Sequence, residues 1–204
     1  MDKPTSPDSD TFRCFVGIPV DAAFVASVQP LVAQMQAQSW SRRVRWIAPR
    51  NWHITLAFLG NQPALFRQEL HDHLRVALQQ TTPFILNARW ASGFPDARSR
   101  IVALEFHTTP ALLQLKAVLD EQLRLQGFEP EQRALRPHLT LARFQRDQSP
   151  YVEPVVCAHE LAAVQVNLYR SLMTPAGSEY QAVWKIGLPS SGAPAAKEMK
   201  SSDS

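Results

Sequence analysis

One phrase occurs twice in this chain: WHITLAF at residues 52–58 and PHLTLARF at 137–144. A duplicated strand carrying the same polar pair implies two related halves that each give one copy to a shared cleft. Side chains in an extended strand alternate between faces, so residues i and i+2 point the same way. His53 and Thr55 therefore share a face, with Ile54, Leu56 and Phe58 on the other. His138 and Thr140 are set against Leu139 and Leu141 in the same manner. A single His-apolar-Thr-apolar string is expected about 0.05 times by chance at ordinary composition. One copy carries little weight; two copies on predicted strands carry much.

Strand and helix signals alternate around these phrases. Phe12 to Ile18 reads as a strand stopped by Pro19, and Asp21 caps a helix to about Gln38 with Phe24, Val28, Leu31 and Met35 on one face. Val44 to Ile47 and His53 to Leu59 are strands, the second ended by Gly60. Leu65 to Leu78 is helical. Phe84 to Trp90 and Ile101 to Phe106 form a strand pair joined by SGFPDARS, and Pro110 opens a helix to Leu125 closed by Gly127. Leu139 to Phe144, Leu161 to Tyr169 and Tyr180 to Ile186 complete the strands, the last two separated by the turn TPAGS. The expected fold is α/β (α+β): two pseudo-symmetric lobes of mixed or antiparallel sheet, with outer helices around a central cleft. It spans residues 11–188, with polar, Ser/Pro/Ala-rich tails at 1–10 and 189–204 expected to be disordered.

Arginine outnumbers lysine, and its planar fork suits phosphate oxygens. Arg42, Arg43, Arg45 and Arg50 crowd one stretch, and Arg133, Arg136, Arg143 and Arg146 another. Any one of them alone reads as solvated surface, whereas two clusters beside two matching motifs read as a phosphate-binding face. Cys14 and Cys157, both beside apolar residues, read as reduced thiols. With no apolar run long enough for a membrane helix and no leader-like N-terminus, the expected location is the cytoplasm. His71 and His73 lie two apart on a helix and face different ways, a poor metal pair, and His107 and His159 read as structural. The tryptophans, Trp52 among them, read as core. No P-loop, GxGxxG or GxSxG string occurs.

Two imidazoles titrate near neutrality, so one can be neutral and the other protonated at one pH. That pair suits in-line displacement at phosphorus. One imidazole takes a proton from the attacking water, and the other gives a proton to the departing oxygen on the far side. Threonine hydroxyls can donate to the non-bridging oxygens, where charge accumulates. The chemistry calls for no metal and no cofactor.

On its motifs the chain resembles the two-histidine phosphoesterases, and most closely the bacterial RNA 2′,3′-cyclic phosphodiesterases, also called 2′–5′ RNA ligases. FRCFVGIPV at 12–20, RWIAPRNWHITLAFLG at 45–60, GFPDARSRIVALEF at 93–106, RPHLTLARF at 136–144 and LYRSLMTPAGSEYQAVWKIGL at 168–188 are similar to the family's opening strand, first signature, central hairpin, second signature and closing strands. The resemblance implies His53 and His138 as catalytic residues and Thr55, Thr140 and Arg143 as phosphate-binding ones. It implies opening of a 2′,3′-cyclic phosphate to a 2′-phosphomonoester, with His53 as acid facing the ribose 3′ oxygen and His138 as base facing water. The family name adds reversible 2′–5′ joining. Cys14 and Gly17 stand where the family commonly has bulkier or different residues, which bears on whether Phe15 stacks a base; Ser171 and Tyr180 match polar positions of the closing strands.

The implied partner is RNA with a cyclic phosphate end, acted on by a monomer. A small nucleotide-derived cyclic phosphate is a second candidate, and a non-catalytic RNA-binding module a third. The arginine clusters favour the polymer, and both intact phrases favour an active enzyme.

Overall fold

The computed structural model describes residues 11–145, 150–174 and 177–189. The expected tails, apart from Pro189, lie outside them, as do Arg146 and, in the last turn, Pro175 and Ala176.

The chain opens with β1 (Phe12–Pro19), α1 (Ala22–Gln36), β2 (Val44–Trp46) and β3 (His53–Gln62). Next come α2 (Ala64–Ala77), β4 (Phe84–Phe94), β5 (Ile101–Phe106) and α3 (Pro110–Leu125). It closes with β6 (His138–Phe144), β7 (Val155–Val156), β8 (Glu160–Ala163), β9 (Gln165–Thr174) and β10 (Gly177–Gly187). The helices begin and end where local chemistry dictates. Asp21 accepts from the Phe24 amide at 2.7 Å to cap α1, and Thr109 does the same for Leu112 at the start of α3. Gly127, at φ 73°, takes the left-handed turn that ends α3. The buried face of α3 is Leu112, Leu115, Leu119 and Leu123, a stripe at helical spacing. No helix among the described residues is long and apolar enough to cross a membrane.

The strands form a 10-stranded sheet in the order β10-β9-β1-β3-β6-β5-β4-β7, with β2 on β6 and β8 on β4. Every described pairing is antiparallel, which settles the expected mixed-or-antiparallel sheet. The order divides at its middle into β10-β9-β1-β3 and β6-β5-β4-β7, and the two repeated phrases are the inner strands of those halves. β3 and β6 meet through one ladder pair, Ile54 opposite Leu139, and then splay apart. Both side chains are fully buried. The splay opens a cleft on the opposite face, while the apolar face packs on the helices.

Several strand boundaries differ from the sequence pattern: β3 runs on past Gly60 to Gln62, β9 past Tyr169 to Thr174, and β10 starts at Gly177 rather than Tyr180. The segment 161–169 is two strands: β8 pairs with Phe84–Asn87 of β4, and β9 pairs with β1 and β10 in the other half. Apolar residues fall on both sides of the break at Val164, and no Gly or Pro marks it. β4 runs past Trp90 to Phe94, since Ser92, Gly93 and Phe94 pair with Ala103, Val102 and Ile101. A Cβ at Gly93 would sit 2.6 Å from the Asp96 carbonyl oxygen, so only glycine lets the loop fold back this closely. Phe94 is thereby carried against the His138 ring.

Candidate active site

The His-x-Thr alternation holds in both strands. Ile54, Leu56, Leu139 and Leu141 are buried, whereas His53, Thr55, His138 and Thr140 are half-buried. Counting outward from the Ile54–Leu139 pair in antiparallel register, His53 falls across from Thr140, and Thr55 across from His138. The quartet is therefore arranged two-fold about that pair.

Alternation fails one residue later, in both copies and for the same reason. Between β1 and β3, Val16 pairs with Ala57 and Gly17 with Thr55, leaving Leu56 as an extra residue. Between β5 and β6, Val102 pairs with Ala142 and Ala103 with Thr140, leaving Leu141 extra. Each is a β-bulge, which shifts the following residues to the other face. Phe58, expected on the apolar face with Ile54 and Leu56, is instead 62% exposed and lines the cleft. Arg143, five residues after His138 as Phe58 is after His53, is turned into the cleft by the matching bulge.

Both imidazoles are held alike. Nδ1 of His53 lies 2.7 Å from the Asn51 carbonyl oxygen, and Nδ1 of His138 lies 2.9 Å from that of Arg136. A carbonyl only accepts, so each Nδ1 donates and each neutral ring keeps Nε2 as its free basic atom. An aromatic ring backs each one: Phe15 at 4.5 Å from His53, and Phe94 stacked at 3.9 Å and 21° on His138. Phe15 is 3% exposed and packs against His53 at the edge of the cleft. Tyr180 meets His53 edge-on at 4.9 Å and pairs across the ladder with Ser171, and both line the cleft. Behind His53, a Cβ at Gly17 would come within 2.8 Å of the Ile54 carbonyl oxygen, so this glycine permits β1 to lie close.

Nothing in the residue pattern pointed to the support of His138. Glu105, buried and opposite His138 in the β5–β6 register, accepts from Trp90 Nε1 and from Arg136 Nη2, each at 2.9 Å. Arg136 also donates to the Pro95 carbonyl and lies over the Phe94 ring. Asn51 plays a comparable part for His53, donating to the Ser178 carbonyl and accepting from the Tyr180 amide. Such residues are recognised only through their partners, which lie up to 129 residues away in the chain.

Burial pushes the His53 pKa down to about 4, helped by His138 itself and by the positive charge of Arg143. His138 is pushed down as well, first by burial, with the Glu105 carboxylate pulling the other way. Both shifts favour the neutral imidazole at pH 7 in the free protein. Stability depends on pH as a result. Between pH 6.5 and about 4 the unfolded chain protonates His53 and the folded chain does not. The unfolded state then binds more protons, so stability falls as pH drops through that window, by at most about 3 kcal/mol from His53. Urea midpoints at pH 7 and 4.5 are expected to differ less in His53→Gln than in the wild type; an unchanged difference would show that His53 is not held neutral.

His53, Thr55, His138, Thr140 and Arg143 all line one cavity of about 370 Å³, together with Arg13 and Arg45. Of the other arginines expected beside the motifs, Arg50 pairs with Glu179, and Arg133 and Arg136 border a neighbouring groove. Among the described residues no three His, Cys, Asp or Glu side chains are grouped to hold a metal ion.

A family model described as the 2'-5' RNA ligase superfamily matches residues 24–170. The RNA 2′,3′-cyclic phosphodiesterase of Methanothermobacter thermautotrophicus is 29% identical over 179 residues, covering 82% of this chain and 94% of that protein. The Thermus thermophilus protein of the same name is 29% identical over 171 residues, covering 76% and 83%. Among solved structures, E. coli LigT complexed with 3′-AMP superposes with a TM-score of 0.71 at 26% identity, covering 88% of this chain and 99% of LigT. A structure from Thermus thermophilus shares the fold with a TM-score of 0.76 at 24% identity and the same coverage.

Proposed function

Because this chain belongs to the 2'-5' RNA ligase superfamily, we propose that it opens RNA 2′,3′-cyclic phosphate ends to 2′-phosphomonoesters by acid–base catalysis between His53 and His138. The observation that carries this reading is the antiparallel meeting of the two His-x-Thr phrases at Ile54–Leu139, with both Nε2 atoms left free. The relatives named as RNA 2′,3′-cyclic phosphodiesterases support it.

In this reading the cyclic phosphate sits between the two imidazoles. His138 Nε2 takes a proton from water as its oxygen bonds to phosphorus. The bond from phosphorus to the ribose 3′ oxygen breaks, and that oxygen receives a proton from His53. Thr55 and Thr140 donate to the non-bridging oxygens, and Arg143 offsets their charge. His53 is neutral in the free protein, so its proton must be stabilised by the substrate. A phosphate anion brought into the same poorly solvated cleft favours the imidazolium. If the 5′-hydroxyl of a second RNA takes the place of water, the same displacement forms a 2′–5′ linkage.

The test is product analysis on an RNA ending in a 2′,3′-cyclic phosphate, with excess EDTA present. A 2′-phosphate product formed at an undiminished rate is expected. Activity that disappears in EDTA and returns with a divalent metal would exclude the two-histidine mechanism.

A further inference from the structure

A second groove adjoins the cleft and has no part in the chemistry above. It encloses about 510 Å³, ample for a nucleotide, and lies between the loop that follows β4, helix α3 and the segment leading into β6. Thr55, Phe58 and His138 border both the groove and the cleft, so the two spaces communicate past the exposed Phe58 ring. Its walls combine the aromatic rings of Phe58, Phe94 and Phe128 with the cations Lys116, Arg136 and Arg133, of which Lys116 is paired with Asp120, Arg136 with Glu105 and Arg133, at the surface, with Glu131. The Arg133 side chain is 90% exposed and contacts Glu131 at 3.4 Å, an arrangement that leaves its guanidinium open to solvent.

Aromatic faces interleaved with guanidinium groups suit single-stranded nucleic acid, whose bases stack and whose phosphates pair with arginine. A terminal nucleotide with its cyclic phosphate between the histidines still carries a 5′ phosphodiester. That chain has to leave the cleft, and the groove adjoins it past Phe58, with the solvent-open Arg133 guanidinium on its wall. We infer that this groove binds the penultimate nucleotide of a single-stranded RNA end, so that the protein selects polymer ends over free cyclic mononucleotides. The inference rests on the proposed function and adds to it a binding site for the nucleotide that precedes the cyclic end.

The experiment compares kcat/KM for a dinucleotide ending in 2′,3′-cyclic phosphate with that for the matching nucleoside 2′,3′-cyclic phosphate. The wild type is expected to favour the dinucleotide by about 10-fold, within the range a stacked base contributes. Arg133→Ala and Phe128→Ala are expected to bring the ratio toward one, with mononucleotide hydrolysis unchanged. Phe128 also packs near Phe66, so its truncation touches the fold as well as the groove. Arg133→Ala, at an exposed position, carries the test by itself. Equal wild-type rates on both substrates would overturn the inference, as would an Arg133→Ala variant that keeps the full preference. Failure of the wild type to open either substrate would instead remove the proposed function.

Discussion

Replacing His138 or His53 by alanine is expected to lower kcat on a 2′,3′-cyclic phosphate end by about 10²–10⁴-fold, with the smaller change in KM. The symmetry of the site makes both losses severe. Each Nδ1 is committed to a backbone carbonyl, so each ring has one atom, Nε2, with which to move a proton. Water cannot replace either ring efficiently, because neither its position nor its basicity is set. The double variant is expected to be little worse than the worse single one, since a displacement lacking its base gains little from an acid. Single-turnover kinetics on the three variants measure this. A substrate with sulfur in place of the departing 3′ oxygen separates the roles, because a thiolate leaves without a proton. That substrate should restore much of the rate to His53→Ala and little to His138→Ala. The reverse pattern would exchange the acid and the base, and near-wild-type turnover in both alanine variants would end the acid–base reading.

Truncating Leu139 to alanine is expected to cost about 2–5 kcal/mol of stability, read as a lower urea midpoint. Leu139 and Ile54 are fully buried and form the one described ladder pair between the two halves of the sheet. A cavity there has few routes to collapse, because tight packing lies on one side and the cleft on the other. Ile54→Ala should act similarly, and the double variant should lose less than the sum of the singles, since both remove the same contact. Folded Leu139→Ala should also lose activity, because this joint sets the separation of the two histidines. A stability loss below about 1 kcal/mol would show that the joint is not the tight junction described here.

Much of the architecture was legible without coordinates because the signals were periodic and local. The stripe of α3, the cap at Asp21 and the repeated strand phrase depend on neighbours within one or two turns. Val164 and Phe58 show where that logic stops. The break at Val164 is a change of pairing partner between two strands, and nothing in the residues themselves records it. Phe58 reverses its face because a bulge inserts Leu56 against β1, and a bulge is a property of two strands in register.

The residue pattern alone offered the groups to which the proposed chemistry is assigned: a pair of imidazoles, each with a hydroxyl two positions on, and an arginine five positions after the second. It did so because strand alternation is intrinsic to an extended backbone. Folding had to set the rest: the register pair that brings the two phrases together, the bracing of His138 by Phe94, Arg136 and Glu105, and the burial that pushes both imidazoles toward the neutral form. Those facts depend on register, burial and through-space charge, which arise between segments far apart in the chain. No segment holds them before the two halves meet.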